Sequence, residues 1–137
     1  MANNYCESSS FVNVPADKID QAKQIVARIE TELEDDADEG YVGFAAEIEK
    51  EGVWIHADES INPDHVERLV SALVVELDLP GIHVCSWSYT CSKPRIDEFG
   101  GGAFAVQKGR DAVWIDAASE AQRIASLPPN ADKEGTR

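Results

Sequence analysis

The chain repeats itself at an offset of 60 residues. Phe44-Ala45-Ala46 followed by Val53-Trp54-Ile55-His56-Ala57 returns as Phe104-Ala105-Val106 followed by Val113-Trp114-Ile115-Asp116-Ala117. Each copy encloses a short polar gap with a glycine, Glu49-Lys50-Glu51-Gly52 in the first and Lys108-Gly109-Arg110-Asp111 in the second. Strand-like runs on either side of such a gap read as a β-hairpin. Antiparallel hairpins are therefore expected over residues 41–58 and 102–117. Pairing Ile48 with Val53 puts Val42, Phe44, Ala46 and Ile48 on one face with Val53, Ile55 and Ala57. By the same parity Phe104 and Ile115 are expected in the core, with Trp54, His56, Trp114 and Asp116 on the opposite face as equivalent pairs.

Between the hairpins the spacing changes from two to three and four. Ile19, Ala22, Val26, Ile29 and Leu33 predict a helix over residues 16–34, preceded by a short strand over 8–14 that Pro15 ends. Asn62-Pro63-Asp64 is a helix start with a side-chain cap, a proline in the first turn and an acid at the positive end of the dipole. Val66, Leu69, Val70, Leu73, Val74 and Leu77 continue that helix. His83, Cys85, Trp87, Tyr89 and Cys91 then alternate with Val84, Ser86, Ser88 and Thr90, the pattern of a half-buried strand. A short helix is expected over 117–127, and a polar disordered tail over 128–137. The order is β-α-β-β-α-β-β-β-α. It predicts a single α+β domain over 1–127, a ferredoxin-like (split βαβ) antiparallel sheet packed on two helices, with an appended hairpin and a short C-terminal helix.

Charge sets the function classes. The formal net charge is −14, and it is uneven. Residues 1–61 hold 15 acidic and 4 basic side chains, while residues 62–137 hold 11 and 8. Seven of the ten residues from Glu30 to Glu39 are acidic. Such a balance argues against direct binding of nucleic acid through phosphates, and against anionic membranes. It favours encounter with a basic protein. The three cysteines have no framework spacing, and neither a signal peptide nor a membrane span is legible, so a cytoplasmic location with reduced thiols is expected.

No catalytic signature accompanies the fold pattern. Cys85 and Cys91 stand about 20 Å apart along an extended strand, too far for one ion. The Asp35-Asp36-Ala37-Asp38-Glu39-Gly40 run invites a calcium reading. Its glycine, however, is one position early, and the closing Glu47 falls in a predicted strand, so a solvated acidic loop is expected. Gly100-Gly101-Gly102 lacks the Lys-Ser of a phosphate loop and suits a bulge or a close backbone approach. No cofactor and no metal are expected.

The reading that follows is a non-enzymatic acidic protein that blocks a basic, nucleic-acid-handling partner. Its profile of small size and high acidity is similar to that of phage anti-CRISPR and anti-restriction inhibitors and of nuclease immunity proteins. Glu34, Asp35, Asp36, Asp38 and Glu39 would supply the charge, aided by Glu49, Glu51, Asp58 and Glu59. Trp54, His56, Trp114 and Asp116 would supply contact area. One alternative is a small-molecule binder or modest enzyme with those last four residues lining a pocket on the open sheet face. Another is a homodimer formed through an exposed sheet face.

Overall fold

In a computed structural model, residues 4–36, 40–57, 60–91 and 100–128 are described. The elements in chain order are β1 (Asn4–Asn13), a 3-10 turn (Ala16–Lys18), α1 (Ile19–Glu34), β2 (Ala45–Glu49), β3 (Gly52–Ala57), α2 (Pro63–Glu76), β4 (Ile82–Cys91), β5 (Gly100–Gln107), β6 (Val113–Asp116) and α3 (Ala117–Ala125). The six strands form one antiparallel sheet in the order β2-β3-β1-β4-β5-β6. Each expected helix and hairpin is present, with boundaries moved by a few residues. The first strand begins earlier than expected because Asn4 to Glu7 pair with the end of β4. The tail from Pro129 lies outside the described residues.

One sheet face is covered by α1 and α2. Ala22, Ile25, Val26, Ile29 and Leu33 of α1 and Val66, Leu69, Val70, Leu73 and Val74 of α2 are buried there. They meet Val12, Val53, Ile55, Cys85, Phe104 and Val106 from the strands. The Asn62 side chain accepts from the Asp64 and His65 backbone N–H groups at 3.0 and 3.4 Å, the cap that its sequence announces. Neither α1 nor α2 has a basic residue in its last turn. At α2 the Lys18 ammonium supplies the missing cation, donating to the Leu77 carbonyl at 2.6 Å. Arg28 ties the two helices together by donating to both oxygens of Glu76, and Arg68 donates to Glu32 at 2.5 Å. α1 lies nearest β2 and α2 nearest β5.

The first hairpin has the register expected of it, with Ile48 opposite Val53 and Ala46 opposite Ile55. Phe44, Ile55 and Phe104 are in the core, but Ile115 is 48% exposed. The repeat would pair Ile115 with Val106, as Ile55 pairs with Ala46. Instead Ile115 pairs with Ala103, a slip of three residues. An odd slip moves every side chain of a strand to the other face. Trp114 therefore stands opposite Phe104 on the helix-bearing face, while Ile115 and Val113 point away from it. β3 cannot slip in this way, because β1 holds it on its other side through Val12 opposite Val53 and Ser10 opposite Ile55. β6 is an edge strand with one neighbour. Its turn carries Gly109 in the left-handed region at φ 86, which suits a looser loop.

Close approaches at Gly52 and Gly102 require glycine. A Cβ on Gly52 would lie 2.0 Å from the Val12 carbonyl oxygen, and one on Gly102 would lie 2.7 Å from the Trp87 ring. The glycine run thus admits Trp87 over β5, as a close approach rather than a phosphate cradle.

Gly52→Ala is expected to destabilise the protein by about 1–3 kcal/mol, because central strands must part to admit the methyl group. Leu69→Ala, which empties a fully buried site, should cost about 2–5 kcal/mol. Urea denaturation followed by circular dichroism measures both. Values for either variant indistinguishable from the parent would contradict this packing.

Candidate interaction surface

The sheet face away from α1 and α2 divides into two halves. Over β2, β3 and β1 it is polar and aromatic. Glu47 stands opposite Trp54, Ala45 opposite His56, Ser9 opposite His56, and Phe11 opposite Trp54. The Trp54 and His56 rings stack with centroids 3.8 Å apart. The Trp54 indole N–H donates to the Ser9 hydroxyl at 2.8 Å, and the His56 Nε2 lies 2.7 Å from a Glu47 oxygen. Phe11 is 43% exposed at the margin of this group. Over β4, β5 and β6 the same face is mostly apolar, with Ser86, Ser88 and Gln107 among its residues. Ile82, Val84, Val113 and Ile115 are exposed, with Ala103 and Ala105 between them.

Trp54 and His56 come together as expected. Trp114 and Asp116 do not join them, so the four residues do not line one pocket. β3 and β6 are separated by β1, β4 and β5, or about 19 Å at the usual strand spacing. The register slip also puts them on opposite faces. Trp114 closes an aromatic cluster with Phe104 at 5.0 Å and Trp87 at 5.7 Å. Asp116 caps α3, accepting from the Ser119 backbone N–H at 3.0 Å. His56 finds Glu47, two residues along the neighbouring strand. The Ile48–Val53 pairing already implies that neighbourhood. Phe11 was legible too, since it has the opposite parity to Val12, but a short strand gives little reason to single it out.

The acidic residues gather on one edge. Glu34 ends α1, Asp35 is its C-cap and Asp36 follows, all exposed. Glu47 and Glu49 point outward from edge strand β2, and Glu51 lies in its turn. Because α1 lies nearest β2, the β2 side of the molecule forms an acidic wall, with Glu51 at the end where its carbonyl accepts from the Val14 N–H just before α1, and Glu34, Asp35 and Asp36 at the far end of that helix. Asp38, Glu39, Asp58 and Glu59 lie outside the described residues. Burial, and then repulsion from Glu34, pushes the Glu30 carboxyl above its ordinary value. The Arg28 hydrogen bonds hold the Glu76 carboxyl below its ordinary value, and Lys108 does the same for Asp78.

No group of three or more His, Cys, Asp or Glu side chains among the described residues could hold a metal ion. Ser9 and His56 face each other beside Glu47, but the Ser9 oxygen accepts from Trp54. Cys85 is buried, and burial raises its thiol above the ordinary value. Among the described residues no helix is long and apolar enough to cross a membrane. Comparison with protein-family models, curated proteins and solved structures gives no match.

A carboxyl whose folded pKa is raised weakens the fold above that pKa. The penalty vanishes below the unfolded value, where both states are protonated. Glu30→Gln is therefore expected to raise Tm at pH 7 by about 1–3 °C, the size of one relieved i,i+4 repulsion. No gain should remain near pH ~3. Thermal melts at the two pH values check this. An equal gain at both would show that charge is not its cause.

Proposed function

We propose that the chain is a non-enzymatic, acidic binding protein that occupies a basic, nucleic-acid-handling protein, in the manner of an anti-CRISPR, anti-restriction or nuclease-immunity inhibitor. The observation that carries this reading is the acidic wall of α1 and β2 beside an aromatic sheet face. Glu34, Asp35, Asp36, Glu47, Glu49 and Glu51 present negative charge along one edge. Trp54 and Phe11, on the adjoining face, offer the aromatic anchor that such interfaces use. Arg28 and Arg68 engage Glu32 and Glu76 on the α1–α2 surface, which leaves the wall as the strongly acidic side. Its field would draw a positive groove and imitate the spacing of phosphates. The order β2-β3-β1-β4 with both helices on one face supports a ferredoxin-like reading of the first six elements, a scaffold that leaves its other face free.

A second reading rests on a cleft of about 530 Å³ lined by Ser8, Ser9, Val42, Phe44, Ala45, His56, Ala57 and Ser60. It suits a small ligand rather than a protein.

Affinity capture from the native host at low and moderate salt tests the first reading, and thermal shift against a metabolite panel tests the second. A basic protein should be retained, and less of it as salt rises, since screening shortens from about 10 Å at 0.1 M to about 3 Å at 1 M. Against that protein, neutralising Glu34, Asp35, Asp36, Glu47 and Glu49 should slow association about ten-fold or more at low salt. Trp54→Ala should instead speed dissociation, costing about 2 kcal/mol. Capture of no basic protein at either salt, with a metabolite raising Tm, would replace the inhibitor reading with the ligand one.

A further inference from the structure

β1 belongs to two half-sheets. Its first four residues, Asn4–Glu7, pair with Ser88–Cys91 of β4, and its last six, Ser8–Asn13, pair with Gly52–Ala57 of β3. The ladder between β1 and β4 stops at Glu7 opposite Ser88, although β1 runs on to Asn13 and β4 starts as early as Ile82. Past that point side chains stand in for backbone pairs. The Ser8 hydroxyl donates to the Ser86 carbonyl at 2.6 Å, and Ser10 hydrogen-bonds the Cys85 thiol. A cleft of about 360 Å³ opens where the ladder ends, with Glu7, Ser9, Ser86 and Ser88 in its lining.

The helix layer follows the same division, with α1 nearest β2 and α2 nearest β5. At the start of α2 the two halves are joined through backbone groups. The Asn62 N–H donates to the Gly43 carbonyl at 2.7 Å, and the Gly43 N–H donates to His65 Nδ1 at 2.9 Å. At the other end of the helices the polar ties among the described residues come from side chains. Lys18 reaches the Leu77 carbonyl and Arg28 reaches Glu76, beside a second cleft of about 340 Å³.

We infer that the protein bends along this seam. The half formed by α1, β2, β3 and the end of β1 turns against the half formed by α2, β4, β5 and β6. The pivot is the Glu7–Ser88 pair together with the start of α2. Local motion concentrates where few backbone hydrogen bonds must break, and exposed ion pairs such as Arg28–Glu76 resist it weakly. The buried contact between α1 and α2 keeps the movement to a small shear. The seam is also the chemical boundary of the open face. Phe11, Glu47, Trp54 and His56 move with one half, and Val84, Val113 and Ile115 with the other. Bending therefore changes the angle between the two surfaces and leaves each intact. The device needs no partner and stands independently of the inhibitor reading.

NMR on the intact protein tests the seam and its motion. Successive N–H groups of an antiparallel strand point to opposite neighbours. The Val14 N–H bonds the Glu51 carbonyl on the β3 side, so the Ser10 N–H faces β3 and the Ser9 N–H faces the seam. The Ser9 and Ser86 amides should exchange with solvent ~100-fold or more faster than those of Ser10 and Cys85. Relaxation dispersion should show microsecond-to-millisecond exchange at one common rate in residues 9–13 and 82–86, and none at Trp54 or Phe104 within the halves. Lys18→Met, which removes a tie at the open end, should raise the exchanging population ~2–5-fold. A disulfide between Ser9→Cys and Ser86→Cys should abolish the exchange. The parent protein alone decides the matter if either variant fails to fold. Equal protection of Ser9 and Ser10, flat dispersion in the parent, or unrelated rates on the two sides overturns the inference. So does exchange that persists in the crosslinked protein.

Discussion

Leu69, Val70, Leu73 and Val74 of α2 are fully buried against one face of the sheet, and the rest of the molecule is arranged around that contact. Burying four such side chains is worth about 6–12 kcal/mol at the usual 1.5–3 kcal/mol each. An exposed ion pair such as Arg28–Glu76 contributes little beside that. Apolar burial therefore chooses which face of each strand turns inward, and the ion pairs only decorate the result. Once Val12, Val53, Ile55, Cys85 and Phe104 face the helices, strand alternation sends Phe11, Trp54, His56, Val84 and Ile115 to the other side. The interaction surface is what remains of the sheet after the core has been satisfied.

The helix layer does not reach the whole sheet. α1 lies nearest β2 and α2 nearest β5, so β6 receives little cover even on the helix-bearing side. Trp114 remains 41% exposed although it packs on Phe104, and α3 has no buried residue at all. Among the described residues, eight of the eleven exposed large hydrophobic side chains, Ile82, Val84, Tyr89, Val113, Trp114, Ile115, Ile124 and Leu127, fall in β4, β6 and the α3 region. Exposed apolar side chains concentrated at one edge in this way mark a place of contact. It lies at the opposite edge from the acidic wall, so the molecule presents two chemically distinct surfaces.

The acidic wall has a local cost. Glu34, Asp35 and Asp36 crowd the C-terminus of α1, where the dipole prefers cations, and its last turn holds no basic residue. At the end of α2 the same need is met by Lys18 reaching from the 3-10 turn. A chain that places acids where they oppose helix stability gains nothing for its own fold by doing so.

The elements themselves were legible from the sequence. Two- and three-four-residue periods marked strands and helices, Asn62-Pro63-Asp64 fixed the start of α2, and Ile48 opposite Val53 set the first hairpin. Those signals act over a few residues, where side-chain spacing and capping are decided by local geometry. The core positions Phe44, Ile55 and Phe104 followed from the same alternation, as did the shared face of Trp54 and His56. Only the tertiary structure decided Ile115, Trp114 and Asp116. Two segments of nearly identical sequence took different registers because β3 has neighbours on both sides and β6 has one. The gathering of α1 and β2 acids onto one wall was equally invisible, since it depends on where α1 lies across the sheet. Side-chain periodicity is a property of the chain, but the face a strand presents at an edge is set by its neighbours.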